Sequence, residues 1–309
     1  MSKILRTKEL LLTNRAMFCD SIVKNFLGFL PDKMYLSLRY RCQMGRWIDW
    51  KNPTLYQEKL QWLKVYNHQE VYTKMVNKIS AKEYVANVIG EKYIIPTLGV
   101  WEHFDEINFD DLPSQFVLKT NNGGGNSGVV VCKDKTTLNK EVAKRRLEKS
   151  LKSSIYKNCR EWPYRNIIPR IFAETYMEDN SEFNEGGLTD YKFTCFNGKA
   201  DNVMVCCNRQ SGDTKFYFFD QKWNLLPLNK RGKETNPNFK LPKPNCMDEM
   251  FDIAGKLSEG IPFLRVDLYF VNNRPYFGET TFFPTSGFDQ NILPETEILF
   301  GNKIELPNK

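Results

Sequence analysis

The expected fold follows from the stretch Gln115-Phe116-Val117-Leu118-Lys119-Thr120-Asn121-Asn122-Gly123-Gly124-Gly125-Asn126-Ser127-Gly128-Val129-Val130-Val131. Two apolar, β-branched segments bracket an eight-residue turn, Asn121–Gly128, that holds four glycines, which predicts a strand–loop–strand hairpin. Glycine allows positive φ and leaves backbone N–H groups accessible, and Lys119 adds a cation, so the loop suits a phosphate chain. It lacks the Gly-Lys-Ser/Thr of a P-loop and the helix of a dinucleotide fingerprint. The alternative is an ordinary mobile hairpin tip.

A second hairpin is predicted from two alternating runs, Phe263–Phe270 and Pro275–Thr281. Side chains two residues apart share one face of a strand, so Asp267 on the first strand and Glu279 on the second can point into one site, with Arg265 nearby. Paired carboxylates repel unless a cation lies between them, and Mg²⁺ commonly binds through one or two carboxylates plus phosphates. The alternative is a surface hairpin whose acids pair with lysines.

Both constellations, in this order, resemble the ATP-grasp superfamily and, more narrowly, its TupA-like branch, which is associated with bacterial surface-polymer and teichuronopeptide gene clusters. The resemblance covers nearly the whole chain. Its branch-level motifs are Leu30-Pro31-Asp32-Lys33, Asn52-Pro53-Thr54, Glu58-Lys59-Leu60-Gln61-Trp62-Leu63-Lys64, Pro96-Thr97-Leu98-Gly99-Val100-Trp101, Asp190-Tyr191-Lys192-Phe193, Arg265-Val266-Asp267-Leu268-Tyr269 and Gly278-Glu279-Thr280-Thr281-Phe282.

The resemblance implies an α+β fold of the ATP-grasp type, in which two α/β subdomains grip ATP between antiparallel sheets. A mainly helical N-terminal subdomain is expected to precede them, because apolar residues recur at helical intervals in the first ninety residues. The expected boundaries are residues 1–93 for the helical subdomain, 94–175 for the small subdomain with the glycine-rich flap, and 176–309 for the large subdomain with the metal hairpin.

Residues that would bind the nucleotide follow from the flap and from the resemblance. Adenine is expected near a hinge strand, and either Asp179 or Glu182 would hold the ribose. The competing interpretation of Lys78 is a solvated helix lysine, and that of Lys192 is a structural lysine on a sheet face. The full expected set is Lys78, Lys119, Gly124, Gly125, Asn126, Ser127, Gly128, Glu174, Tyr176, Met177, Asp179, Glu182 and Lys192.

Metal, catalytic and acceptor residues are expected further along the chain. Asp267, Glu279 and Thr281 would be the Mg²⁺ ligands. Many ATP-grasp enzymes have asparagine where this chain has Thr281, so a second Mg²⁺ would be held more weakly or through water. The catalytic residues are expected to be Arg265, which would stabilise the transferring phosphoryl group, and Lys119, which would hold the α- and β-phosphates with the flap. By resemblance, the loop at Ser286 and Gly287 lies near the acceptor substrate.

These parts favour an ATP-dependent carboxylate–amine ligase that forms an amide through an acyl phosphate. Its expected partners are ATP, Mg²⁺, an acidic saccharide or other carboxylate, and an amine such as an amino acid. The reaction would attach the amino acid or another amino compound to a uronic-acid-containing bacterial surface or capsular polysaccharide or its precursor. The alternative enzymes are an ATP-grasp kinase and a glycosyltransferase of polysaccharide biosynthesis. A non-catalytic polysaccharide-binding protein would leave the set of basic and acidic site residues unexplained.

Composition narrows the class of protein. The 309 residues are 26% charged and 41% hydrophobic, which is typical of a globular enzyme, and the net charge of +7 favours an anionic partner. No apolar run is long enough to span a membrane, and residues 1–28 predict a basic amphipathic helix rather than a signal peptide. Eight cysteines without Cys-x-x-Cys spacing indicate buried thiols in a reducing compartment, hence a cytoplasmic enzyme. The sequence has no recognised nucleic-acid-binding motif. Peripheral association with a membrane is a hypothesis, and the sequence does not indicate an oligomeric state.

Overall fold

The structure is a computed structural model that describes residues 15–125, 127–178, 188–207, 214–236 and 238–308. Three residues expected at the nucleotide, Asn126, Asp179 and Glu182, lie outside these ranges.

Helices dominate the first part of the described chain. The first two form an antiparallel hairpin with a small core of its own, in which Tyr35, Leu36 and Tyr40 are fully buried. The third packs Leu60 and Leu63 into a different core, that of the larger sheet. Among the described residues no helix has the length and apolar character needed to cross a bilayer. The bounds are α1 Arg15–Phe26, α2 Asp32–Met44, α3 Tyr56–Tyr66, α4 Glu70–Val76 and α5 Ser80–Ile89.

A four-stranded antiparallel sheet follows, with strand order β1-β4-β2-β3. Alternation along β2 buries Phe116 and Leu118 on one face, where Ala143 and Leu147 of an amphipathic helix cover them. The opposite face carries Val117 and Lys119 and is open to a cavity. The elements are β1 Thr97–Trp101, β2 Phe116–Thr120, β3 Val129–Cys132, α6 Lys140–Leu151, α7 Ile155–Cys159 and β4 Ile171–Thr175.

The second sheet has six antiparallel strands in the order β10-β9-β5-β6-β7-β8. Phe193 and Cys195 of β5 face the core, where Phe193 meets Phe251 of α9 edge-on at 5.0 Å between ring centroids. Because side chains alternate, Lys192 faces the other side, toward the cavity. The elements are β5 Asp190–Phe196, β6 Lys199–Cys207, β7 Lys215–Phe219, β8 Leu225–Leu226, α8 Lys230–Glu234, α9 Met247–Leu257, β9 Phe263–Val271, β10 Arg274–Thr281 and α10 Pro294–Lys303.

The predicted α+β fold with two antiparallel sheets is confirmed. Each sheet lies within one of the two segments expected to form the grasping subdomains, 94–175 and 176–309. The helices of the N-terminal segment belong to two different cores. Helices α3, α4 and α5 contribute to the core of the second sheet, whereas α1 and α2 contribute to the smaller core described above. Helices α3, α4 and α5 therefore share one hydrophobic core with the second sheet, and the three-part division of the chain stays a prediction.

Candidate functional site

A cavity of about 570 Å³ is lined by residues of both sheets. Its apolar walls include Val117 and Phe172 from the first sheet and Phe277 from the second, and basic side chains enter it from both sheets and from helices α5 and α6. A concave cavity that combines apolar walls with convergent polar groups is the common form of a small-molecule site. The residues expected from the sequence that line it are Lys78, Lys119, Gly125, Glu174, Tyr176, Met177, Lys192 and Glu279.

Three charged residues, two of which line the cavity, are aligned across neighbouring strands. Asp267 on β9 is directly opposite Lys192 on β5 and Glu279 on β10. A β-bulge between Phe277 and Glu279 sets this register. The bulge favours glycine at position 278, because a Cβ there would lie 3.0 Å from the carbonyl oxygen of Asp267, which is tighter than most Cβ contacts. The two predicted metal carboxylates thus come together on adjacent strands.

Both carboxylates are paired with basic side chains. Arg265 donates to Asp267 through Nε at 2.6 Å and Nη2 at 2.8 Å, and the ammonium of Lys192 also bonds Asp267. Lys78 Nζ donates to Glu279 Oε2 at 2.6 Å. Burial alone would raise the pKa of Glu279, but Lys78, Lys192 and Arg265 outweigh it and lower that pKa strongly. Burial would lower the pKa of Arg265, and Asp267 raises it above its usual value.

This arrangement bears on the two interpretations of the metal hairpin. The acids do pair with lysines, yet Asp267 is only 1% exposed and Glu279 lines the cavity, so the hairpin is not a surface feature. Thr281 Oγ1 accepts from Arg265 Nη2 at 3.1 Å. Within the described ranges no group of three or more His, Cys, Asp or Glu could hold a metal by itself. Two adjacent carboxylates nevertheless fit Mg²⁺ when phosphate oxygens complete its coordination.

A second charge cluster lies on the first sheet around Glu174. This carboxylate is 5% exposed and bonds the ammonium of Lys119 and, at 2.7 Å, that of Lys82. Burial would raise the pKa of Glu174, but the two lysines outweigh it and lower that pKa. Burial lowers the pKa of Lys82. The carboxylate therefore fixes two lysine ammonium groups at the cavity wall.

Lys82 is a cavity residue that the sequence analysis missed. Its ammonium also donates to Ile95 O at 2.8 Å and Thr97 Oγ1 at 2.7 Å, so it joins α5 to the first sheet. Lys82 lies in the first turn of α5, whereas Lys78 lies in the turn between α4 and α5, so helical spacing does not relate the two lysines.

The glycine-rich flap is anchored at its root and exposed at its tip. Thr120 Oγ1 and Ser150 Oγ of α6 lie 2.7 Å apart in a hydrogen bond. A Cβ on Gly128 would lie 2.2 Å from that threonine oxygen, so only glycine fits there. Gly125 has φ +57°, a left-handed conformation that favours glycine. The exposed tip residues of the described part are Gly124, Gly125 and Ser127.

The predicted acceptor residues lie in a separate buried network and do not line the cavity. Ser286 O accepts from Lys64 Nζ at 2.8 Å and Gln61 Nε2 at 3.0 Å, while the Ser286 hydroxyl bonds the Glu161 carboxylate. Burial lowers the pKa of Lys64 to about 8 and raises that of Glu161. This polar network was not anticipated from the sequence, and acceptor binding by Ser286 and Gly287 stays a prediction.

The backbone of this loop is unusual. Thr285 and Ser286 have φ +50° and +54°, and Gly287 has φ +66°. A left-handed conformation at a β-branched residue costs on the order of 1–3 kcal/mol and persists only where surrounding contacts impose it. The hydrogen bonds from Gln61 and Lys64 supply those contacts.

Comparisons with known proteins give one family and a set of solved structures. The sequence profile of the TupA-like ATP-grasp family matches residues 58–305. The D-alanine-D-alanine ligase of Helicobacter pylori is 17% identical with a TM-score of 0.42, covering 81% of this chain and 69% of that one. The Bacillus anthracis D-alanine–D-alanine ligase complexed with ATP is 16% identical with a TM-score of 0.42, covering 74% and 63%.

The biotin carboxylase of Campylobacter jejuni is 14% identical with a TM-score of 0.41, covering 82% of this chain and 53% of that one. This chain thus spans between 53% and 69% of the length of the three structures. No curated protein matches the chain.

Proposed function

The chain belongs to the TupA-like ATP-grasp family, within the ATP-grasp ligases, and on that premise we propose that it is an ATP-dependent carboxylate–amine ligase. The observation that carries the proposal is the meeting of three lysines with Glu279 in one cavity between two sheets, with Asp267 directly opposite Glu279 on the neighbouring strand. The three lysines are Lys78, Lys119 and Lys192. Lysines suit phosphate oxygens, and paired carboxylates suit the divalent cation that accompanies them. Because the reaction consumes ATP, we place it in the cytoplasm.

ATP would lie across the cavity with its base near the end of β4. The apolar side chains of Phe172, Tyr176 and Met177 support this orientation, since an aromatic base packs well between apolar walls. The backbone N–H groups of the flap and Lys119 would hold the α- and β-phosphates. Flap closure over them would exclude water from the transfer step.

At the other end, the chain's own residues are placed for the phosphoryl transfer. Asp267 and Glu279 would hold Mg²⁺, which when bound neutralises negative charge on the phosphate oxygens. Lys192 and Lys78, released from these acids, would turn to the phosphates. Arg265, held by two hydrogen bonds to Asp267, is fixed as a positive fork beside the transferring group.

The proposed reaction has two steps. A carboxylate oxygen of the acceptor attacks the γ-phosphorus, the bond to the β-phosphate oxygen breaks, and ADP leaves. The amine then attacks the acyl phosphate carbon, inorganic phosphate departs, and the amine proton passes to solvent. We propose that the carboxylate belongs to a uronic acid of a bacterial surface polysaccharide or its precursor and the amine to an amino acid. The net charge of +7 supports an anionic acceptor.

The test is ATP turnover by the wild type and Asp267→Asn, offered uronic-acid oligosaccharides with pooled amino acids. We expect ADP rather than AMP, a product mass raised by one amide-linked amino acid, and a loss on the order of 10²–10³ in turnover for the variant. Asp201→Asn is the matched control, because Asp201 lies on the same sheet and pairs with Lys303 outside the cavity. Thermal melting of both variants separates lost catalysis from lost folding.

Other outcomes identify the alternatives. ADP formed with a hydroxyl acceptor and no amine would indicate a kinase, and consumption of a nucleotide sugar with ATP intact would indicate a glycosyltransferase. If the wild type neither binds nor turns over ATP, the proposal fails.

A further inference from the structure

The tip of the α1–α2 hairpin exposes large apolar side chains. Phe29, in the turn between the helices, is 80% exposed, Phe26 at the end of α1 is 56% exposed, and Met34 in the first turn of α2 is 55% exposed. Single exposed apolar residues are ordinary on protein surfaces, but here three lie within nine positions around one turn.

The N-terminal part of the chain, which contains this hairpin, carries nearly all of the protein's excess positive charge. Residues 1–57 contain ten Lys and Arg against four Asp and Glu, a net charge of +6 out of the total of +7. Residues 58–309 therefore carry only +1. The family match starts at residue 58, so this charge lies outside the matched region. At the tip itself, Lys24 and Lys33 lie one on each side of the turn and are both exposed, and Asp32 lies beside Lys33. Lys24 Nζ pairs with Asp20 Oδ2 of the same helix at 2.7 Å and is 40% exposed, so it remains accessible to an anionic headgroup.

The proposed ligase reaction does not explain these features. None of the residues of α1 and α2 lines the cavity between the sheets. The two helices pack around a separate small core, which includes Tyr35, Leu36 and Tyr40 and contacts the rest of the molecule through residues such as Phe288. The hairpin tip is thus a surface whose charge and exposed aromatic rings are not explained by ATP chemistry.

We propose that the tip of the α1–α2 hairpin, residues 24–34, docks the protein on an anionic lipid surface. Exposed phenylalanine rings enter the boundary between headgroups and acyl chains, and flanking lysines bind the anionic headgroups. A hydrated anionic polysaccharide would satisfy the lysines but offers no apolar phase for Phe26 and Phe29, so the exposed rings favour lipid. Docking there would hold the cavity near substrates attached to a membrane.

The experiment is flotation of the full chain with vesicles of phosphatidylcholine alone or mixed with phosphatidylglycerol, at low and high salt. We expect binding only to the anionic vesicles and weaker binding at high salt. Each lysine near an anionic leaflet contributes about fivefold in affinity, so Lys24→Gln with Lys33→Gln should weaken binding about thirtyfold. Phe26→Ser with Phe29→Ser should weaken it at least tenfold.

Two control variants test whether a change in vesicle binding is specific to the tip or follows from removing any exposed apolar or basic side chain. Ile168→Ser removes an apolar side chain that is 67% exposed elsewhere, and Lys149→Gln with Lys152→Gln removes two exposed lysines near the end of α6. Both controls should bind vesicles within about twofold of the wild type. All substituted side chains are exposed, so melting temperatures should be unchanged.

Several results would overturn the proposal: no preference of the wild type for anionic vesicles at low salt, tip variants that bind like the wild type, or controls that lose binding equally. Full competition by a soluble anionic polysaccharide would assign the surface to polymer instead. Asp267→Asn should bind vesicles like the wild type, so failure of docking and failure of the proposed ATP chemistry are distinguishable.

Discussion

Replacing Lys78 with methionine should change the affinity for a metal ion and the affinity for ATP in opposite directions. Lys78 Nζ lies 2.6 Å from Glu279 Oε2, and the two side chains are 13% and 32% exposed. A metal ion arriving alone must displace this ammonium group from the carboxylate. An arriving nucleotide would instead gain the ammonium as a phosphate partner. Methionine keeps the length and packing of the lysine stem while removing its charge.

The size of both effects follows from the contact. Two charges about 4 Å apart near a protein surface attract by about 4 kcal/mol at an effective dielectric constant of 20. Side-chain entropy and the exposure of Glu279 reduce the net value to about 1–2 kcal/mol. Lys78→Met should therefore tighten binding of a metal alone by about five- to thirtyfold. Loss of a charged hydrogen bond to phosphate should weaken ATP binding by about ten- to a hundredfold.

The assay is titration of Mn²⁺, without nucleotide, followed by electron paramagnetic resonance of the free ion, and calorimetric titration of ATP with Mg²⁺. Lys82→Met is the control, because Lys82 pairs with Glu174 on the other sheet and not with Glu279. It should leave the metal-only affinity unchanged. An unchanged or weaker metal-only affinity in Lys78→Met would refute this account of the ion pair.

Three further predictions concern single side chains. In Glu174→Gln, two lysines lose a buried partner, which should lower the free energy of unfolding by about 3–5 kcal/mol at pH 7. Because the pKa of Glu174 is lowered in the folded protein, this difference from the wild type should shrink as the pH falls below the ordinary pKa of 4.5. Chemical denaturation of both proteins across that pH range measures it. Gly128→Ala should lower the free energy of unfolding by about 1–3 kcal/mol through its clash with Thr120, whereas Gly124→Ala, whose nearest contact is 3.4 Å away, should be close to neutral in the same thermal melts. Thr281→Val removes the oxygen that accepts from Arg265 and should slow ADP formation about tenfold without changing the melting temperature by more than a few degrees.

The two hairpins were predictable because the residues that specify each of them are close together in the sequence. The alternation of β2 and β3 and the four-glycine turn between them specify a flap, and the structure places that turn between Thr120 and Val129 as expected. Alternation also brings Asp267 and Glu279 to one face. Their direct pairing depends on the bulge at Gly278, which moves the register by one residue and which the sequence pattern did not reveal.

The contacts that the sequence did not reveal join distant parts of the chain. Lys64 meets Ser286 across 222 positions, and Lys78 meets Glu279 across 201. No periodicity carries such information, because a lysine on a predicted helix looks the same whether it faces water or a carboxylate from another subdomain. The competing interpretation of Lys78 as a solvated helix lysine was therefore equally consistent with the local pattern.

The pairing of charges in the cavity has a consequence for what it can bind. Glu174, Asp267 and Glu279 are each bonded to lysine ammonium groups, although the cavity lining as a whole carries more basic than acidic side chains. A ligand that brings only negative charge draws lysines away from these carboxylates, and a lone cation displaces lysines from them, so binding either one loses ion-pair energy of about 1–2 kcal/mol per pair. A polyphosphate carrying a divalent cation brings both signs at once: the cation takes the place of the lysines on Asp267 and Glu279, and the phosphates receive those lysines. The charge pattern therefore favours joint binding of nucleotide and metal over either alone, which is why the two affinities measured in Lys78→Met should move apart.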